Sequence, residues 1–197
     1  MNLTERQKEI IEASIKIISE KGIQKLTTRM IAEEMGMTEA ALYRHFKNKS
    51  DIILSLLTQF EENVDSFFRA SEKSPDLGLE YLRKNFRQRT EMLSSRPHYA
   101  RVIFSEEIFQ DDPRFAEKVL QIMEKHRSLL LKILSGAKEK KEIPDNLPLE
   151  QTALVIMGSF RLLVTRWKLC RFQFDIKEET EKILDFLLKK ILQGEKL

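Results

Sequence analysis

Apolar residues recur along nearly the whole chain at three- and four-residue spacing, and no stretch alternates with period two. That pattern predicts helices and no sheet. Thr4 and Gln7 form a capping-box pair ahead of a first helix, whose Ile11, Ile15 and Ile18 share one face until Gly22 stops it. Two short helices are expected near 28–35 and 39–46. A longer one follows, starting between Asn48 and Asp51 and running through Leu56, Phe60, Val64 and Phe67. Ser74 and Pro75 suit the N-cap and first turn of the next helix, which buries Leu79, Leu82, Phe86 and Leu93. Pro97 begins a piece reaching about Phe109, and Asp112 with Pro113 opens another that ends at about Ser135 and Gly136. The charged segment 138–148, with Pro144 and Pro148, reads as a loop. The last two helices are expected at 149–172 and 176–194, the second begun by Asp175 with Glu178 and closed by Gly194. The expected fold is all-α, with about nine helices, no internal repeat and no low-complexity tract.

The stretch Thr27 to Lys49, TTRMIAEEMGMTEAALYRHFKNK, carries the most information. Thr27 or Thr28 can cap a short helix whose inward face is Ile31, Ala32 and Met35. Gly36 permits the left-handed turn that two crossed helices need. Thr38 can cap the next helix, with Ala41, Leu42 and Phe46 facing inward. Thr38, Glu39, Ala40, Tyr43, Arg44 and His45 are left to point outward or sideways. This is a helix-turn-helix layout, whose second helix enters the major groove of DNA by its N-terminal end.

In order and spacing, Gly22, Thr28, Ile31, Ala32, Gly36, Leu42, Tyr43, His45, Phe46 and Lys49 resemble the N-terminal domain of the TetR family of transcription regulators. The likeness covers about residues 8–57; beyond that it is one of architecture. It implies a DNA-binding domain at 1–48 and a helical ligand-binding and dimerisation domain at 49–197. It further implies a double-stranded operator and a small-molecule effector as partners, with repression as the commoner outcome. The residue types agree with such a role. Lys49 at a helix start suits a phosphate, and Tyr43, His45 and Thr28 can donate to phosphate oxygens. Arg29 and Arg44 offer forks matched to guanine, and Ala40 can pack on a thymine methyl. Glu39 can accept from cytosine N4 or simply repel phosphate. Family members often carry Gly at the position of Ala40 and Thr at that of Ala41, so the details of base reading differ here.

Composition adds limits. Hydrophobic residues make up 42% and charged residues 33%, with a formal net charge of +3, so disorder is not expected and the basic excess alone does not argue for nucleic acid. A single cysteine, Cys170, forms no internal disulfide, which fits a reducing compartment. The first residues have no apolar core of a signal peptide, and Leu154 to Trp167 is too short and polar to span a membrane, so a cytoplasmic protein is expected. His45, His98 and His126 lack metal-ligand spacing, Glu106 and Glu107 diverge on a helix, and there is no phosphate or dinucleotide loop. No enzyme, metal or cofactor is expected. Aromatic residues cluster through the later helices, and a pocket from Phe86, Arg89, Tyr99, Phe104, Phe160 and Trp167 is one reading; ordinary core is the other. Arg89, His98, Arg101 and Arg161 are candidate anchors for an acidic group, and the layout of 97–170 resembles family members that bind long-chain acyl thioesters. The last two helices are apolar on more than one face, which predicts a homodimer through them. The competing classes are a helical partner-binding protein and an enzyme in the pocket.

Overall fold

The computed structural model describes residues 3–72, 77–105 and 112–192, without the side chains of residues 63, 64, 67, 68, 70, 72, 190 and 191. The expectations for Ser74, Pro75, Glu106, Glu107, Phe109 and Gly194, and for the side chains of Val64 and Phe67, lie outside the described residues. Nine α-helices are present among those described: α1 Glu5–Lys21, α2 Thr28–Glu34, α3 Glu39–Tyr43, α4 Lys49–Glu72, α5 Leu79–Ser95, α6 Pro97–Ile103, α7 Pro113–Glu139, α8 Leu149–Leu169 and α9 Ile176–Phe186. A π-helical turn, Leu187–Leu192, continues α9. Backbone contacts divide the chain into two compact units, Met1–Asn63 with His98–Ile122 and Val64–Pro97 with Met123–Leu197. The first unit thus holds a later stretch of chain besides the N-terminal helices.

In the first unit, α1 starts on the predicted capping box. Thr4 Oγ1 accepts from the Gln7 amide at 3.2 Å, and the Thr4 amide donates to Gln7 Oε1 at 3.0 Å. Gly22 ends the helix at φ +87°, a region where a side chain is strained. Ile10, Ile11, Ile15, Ile17 and Ile18 are all buried, so α1 is covered on more than the single face that its 3.6-residue period suggested. They form one apolar interior with Ile31, Ala32, Leu42, Phe46, Ile52, Ile53, Leu56 and Leu57. At about 1.5–3 kcal/mol per fully buried large side chain, this core is the main source of the module's stability.

In the second unit, Leu79, Leu82, Phe86, Leu129, Leu130, Ile133, Leu134, Ile156 and Leu184 form the centre of a second core. Arg83 bridges α5 to α9, reaching Glu181 at 2.8 Å and Asp185 at 2.5 Å, and Arg87 adds a second bond to Glu181 at 2.7 Å. Hydrogen bonds from these arginines hold the Glu181 and Asp185 carboxyls below their ordinary values. The start of α5 is held in a way that neighbouring residues do not reveal. Its N-cap, Gly78, has no side chain, and the Leu79 amide donates instead to Glu142 Oε2 at 2.7 Å.

Gly136, read as a stop signal, lies inside α7, which runs on to Glu139. A Cβ at Gly136 would stand 2.3 Å from the Leu77 carbonyl oxygen and 2.9 Å from the Leu77 Cβ. The glycine is there to let another segment's backbone approach the helix. The helix ends later, at Lys141 with φ +61°, where the Glu142 amide bonds back to the Ala137 carbonyl at 2.9 Å. Replacing Gly136 by Ala should therefore destabilise, although helix propensity alone would add about 1 kcal/mol. Overpacking of this kind costs about 1–3 kcal/mol, a fall of several degrees in melting temperature. A rise in melting temperature for Gly136→Ala would contradict the close contact.

Candidate nucleic-acid interface

Between α2 and α3 the chain turns through Gly36 at φ +61°, with the Met37 amide bonded to the Ala32 carbonyl at 2.9 Å. Each helix has a threonine cap. Thr27, not Thr28, caps α2 by accepting from the Met30 amide at 3.2 Å, and Thr38 caps α3 by accepting from the Ala41 amide at 3.2 Å. After Tyr43 the helix tightens: the His45 amide bonds the Leu42 carbonyl at 2.9 Å. Asn48 Oδ1 then accepts from the Asp51 amide at 2.9 Å and starts α4, placing Lys49 in its first turn.

These local bonds sort the side chains of α3 by face. Leu42 and Phe46 are buried in the first core. Thr38, Ala40, Tyr43 and Arg44 are exposed, with Tyr43 at 49%, and Glu39, His45 and Lys49 are half-buried. Thr28 stands at the first turn of α2, and its hydroxyl joins the two helices, donating to Glu39 Oε2 at 3.2 Å and lying 3.3 Å from the Tyr43 hydroxyl. Arg29 is exposed and bonds Glu33 at 2.9 Å, a solvent-screened i,i+4 pair easily exchanged for another anion. Gln7 of α1 donates to the His45 carbonyl at 3.1 Å, fixing the far end of α3. Thr28, Arg29, Thr38, Glu39, Ala40, Tyr43, Arg44, His45 and Lys49 all fall in the first unit, and the Thr28 hydroxyl, between Glu39 and Tyr43, ties the start of α2 to α3. A surface of hydroxyls and guanidinium groups on a short, rigidly backed helix can bond phosphate oxygens and base edges.

The later helices distribute the other candidate residues differently from the single pocket envisaged. Tyr99, His98 and Arg101 belong to α6, in the first unit. The Tyr99 hydroxyl donates to Glu12 of α1, His98 Nδ1 shares a hydrogen bond with the Ser19 hydroxyl, and Arg101 donates to the Ser19 carbonyl at 3.1 Å. They strap α6 to α1, a set of contacts no local sequence signal announces. Phe104 follows α6 in the same unit, half-buried. In the second unit, Phe86 and Phe160 meet edge to face with centroids 5.2 Å apart, and the Arg89 guanidinium lies 5.8 Å from the Phe86 ring. A cavity of about 10 Å³, roughly one water, is lined by Phe86, Ile156, Phe160 and Leu163 among others. Trp167 is buried elsewhere, against Phe172 at 4.6 Å, with its indole N–H bonded to the Phe174 carbonyl at 3.0 Å; it pins the turn after α8. Arg161 is half-buried on α8. Asn85, one turn before Arg89, carries no sequence signal that marks it; its buried side-chain carbonyl accepts no hydrogen bond from the described residues.

Two family models match the chain along most of its length. The model of bacterial regulatory proteins of the tetR family covers residues 10–56, and that of the C-terminal region of YsiA-like protein covers residues 56–190. The chain belongs to the TetR family of transcription regulators. It is a DNA-binding transcription regulator. It is similar to the HTH-type transcriptional regulator TtgR of Pseudomonas putida, 28% identical over 189 residues that span 92% of this chain and 89% of that protein. The fold also matches the fatty acid degradation regulator FadR from Bacillus halodurans, with a TM-score of 0.85, 21% identity, and coverage of 97% and 98% of the two chains. A third likeness is to the transcriptional regulator FadR from Bacillus subtilis in complex with stearoyl-CoA, with a TM-score of 0.80, 22% identity, and coverage of 93% and 98%. Among the described residues, no helix of this TetR-family chain is long and apolar enough to cross a membrane.

Burial pushes the Arg89 guanidinium down to about 10, and burial together with Arg89 pushes His126 of α7 well below its ordinary value. In the unfolded chain His126 takes a proton near its ordinary pKa of about 6.5, whereas the folded chain resists it. Stability is therefore full above about pH 6.5 and falls as the pH drops below, by at most about 1.4 kcal/mol per pH unit. Thermal melting between about pH 7 and pH 5 should show this decline, and His126→Gln should flatten it. An unchanged pH profile in the variant would show that other groups cause it.

Proposed function

We infer that this regulator is a repressor that reads a palindromic operator as a homodimer and is released by an apolar, acyl-type effector. The observation that carries the reading is the two-sided character of α3: Leu42 and Phe46 are buried, while Tyr43, Thr38 and Arg44 face solvent beside Thr28. In this reading, Thr28, Tyr43, His45 and Lys49 bond phosphates and fix register. Arg29, Thr38, Glu39, Ala40 and Arg44 meet base edges, Arg29 exchanging Glu33 for the DNA. The head is residues 1–48 and the sensor 49–197; the chain acts in the cytoplasm and performs no catalysis.

A second copy is the occupant proposed for the outer face of α8 and α9. Leu154, Leu162 and Leu169 of α8 are exposed at 66%, 69% and 79%, and Phe186 of α9 at 51%. Gly158 sits between Leu154 and Leu162, and a Cβ there would meet nothing within 4 Å, so another helix can approach closely. Two heads related by a two-fold axis suit half-sites about 34–36 Å apart. Phe86 and Phe160, with Arg89 and Asn85 at their edge, are the proposed start of the effector site, the arginine for an anionic or carbonyl group and the rings for a chain. The FadR likeness with stearoyl-CoA supports this ligand class. Effector binding shifts the population toward an arrangement that fits the operator less well, and the unbroken α4, Lys49–Glu72, is the natural lever.

Three measurements test the reading. In mobility-shift titrations with genomic fragments, Tyr43→Ala and Lys49→Ala should each weaken binding, and Lys49→Ala alone should lower the salt slope by about 1, while the circular dichroism stays helical. Binding that is unaffected by both would place the DNA elsewhere. Leu162→Glu should convert a dimer to a monomer in sedimentation, and a wild-type monomer would rule out the proposed face. Stearoyl-CoA added to the protein–DNA complex should release the DNA; retention at saturating ligand would remove acyl thioesters as the effector class.

A further inference from the structure

Of the three carboxylates in α2 and α3, two are paired with cations: Glu33 with Arg29 at 2.9 Å and Glu34 with Lys16 at 2.6 Å. Glu39 is not; among the described residues it makes no ion pair. Its Oε2 is fixed by the Thr28 hydroxyl at 3.2 Å, and Oε1 takes no hydrogen bond from the described residues. A carboxylate with no ion pair at the leading turn of α3, close enough to Arg29 to help raise that guanidinium's pKa, lies on the face that meets a polyanion in the DNA reading. Its place in the first turn also favours the N-terminus of α3, but that role is met by any acidic residue there and does not need the bond from Thr28. Repulsion from phosphate disfavours every DNA complex in which the oxygen meets no donor. Only a base presenting a donor in the major groove offsets that repulsion.

Resting on the DNA reading, we propose that Glu39 is a specificity-determining residue that demands cytosine at one position of each half-site, and that Thr28 is the positioning residue that aims it. The base edges decide which base is accepted. Guanine presents N7 and O6, both acceptors, and thymine presents O4 and a methyl group, so neither can donate to Oε1. Adenine donates from N6, but its neighbouring N7 is an acceptor facing the carboxylate. Cytosine donates from N4 with no acceptor beside it in that groove. The same charge lowers affinity for duplexes that lack the base, so Glu39 widens the gap between operator and random DNA from both sides.

The test is selection of duplexes from a randomised pool by the full-length wild type, Glu39→Gln and Glu39→Ala, each first checked for an unchanged melting transition. The wild type should enrich half-sites with one column dominated by cytosine. In Glu39→Ala that column should lose about tenfold of its discrimination, and in Glu39→Gln it should move toward adenine, which glutamine can bond bidentately. Both variants should bind unselected duplex several-fold more tightly. Because Thr28 is also placed on the phosphates, Thr28→Val should weaken binding overall, and the cytosine column should lose more discrimination than any other. Titrating the wild type against four duplexes differing only at that column gives the same answer without a variant: cytosine should bind about tenfold better than guanine or thymine. A wild-type motif with no cytosine column, or one unchanged in both Glu39 variants, overturns this inference and leaves the DNA reading standing. Enrichment of no motif at all overturns both.

Discussion

A five-residue helix has no stability of its own, since forming the first turn costs more than so few hydrogen bonds return. The α3 segment, Glu39–Tyr43, exists because Leu42 and Phe46 are driven into the core built from α1, α2 and the start of α4. That burial is the constraint from which the functional surface follows. Once Leu42 and Phe46 point inward, the 100° step of the helix leaves Tyr43, Ala40 and Arg44 outside. Gly36 lets the two helices cross without a strained side chain, and the threonine caps fix where each begins. The outward chemistry is held to register by the inward packing, so the head needs no DNA to assume its shape.

The same module includes a stretch from much later in the chain. Through Tyr99, His98 and Arg101, α6 grips Glu12 and Ser19 of α1. All three bonds are partly buried, where each is worth more than at an exposed surface. Any rearrangement that displaces α6 must break or carry along these bonds, so α1, and with it the Gln7 contact to the end of α3, is open to influence from residues beyond the head. A regulator of this kind needs some such physical link, and α4 and α6 are two parts of the chain able to supply it.

Most of the fold was legible because it is written locally. The capping box of Thr4 and Gln7, the left-handed Gly36 and the Thr38 cap each bring together residues no more than five apart, and the 3.6-residue period marks the longer helices. The outward row of α3 follows from the same period. What escaped was whatever depends on distant partners. The Leu79 amide takes its cap from Glu142, 63 residues away. Gly136 reads as a terminator until Leu77 is seen lying on it. Tyr99 and Trp167 look alike as bulky pocket candidates, yet one is a hydroxyl donor to α1 and the other a peg under the turn after α8. An aromatic ring satisfies a core, a pocket or a strap equally well, and only the third dimension distinguishes them. Glu39 is an intermediate case: its position was legible, but the absence of an ion pair and the grip of Thr28 were not.

The central claim is that α3 delivers its polar side into a major groove. Methylation interference on a duplex selected by the protein tests it directly, since a methyl group at guanine N7 lies in the major groove and one at adenine N3 in the minor groove. The account predicts that N7 methylation within each half-site abolishes binding while N3 methylation there is tolerated. Interference confined to N3, or none at either position, would contradict it.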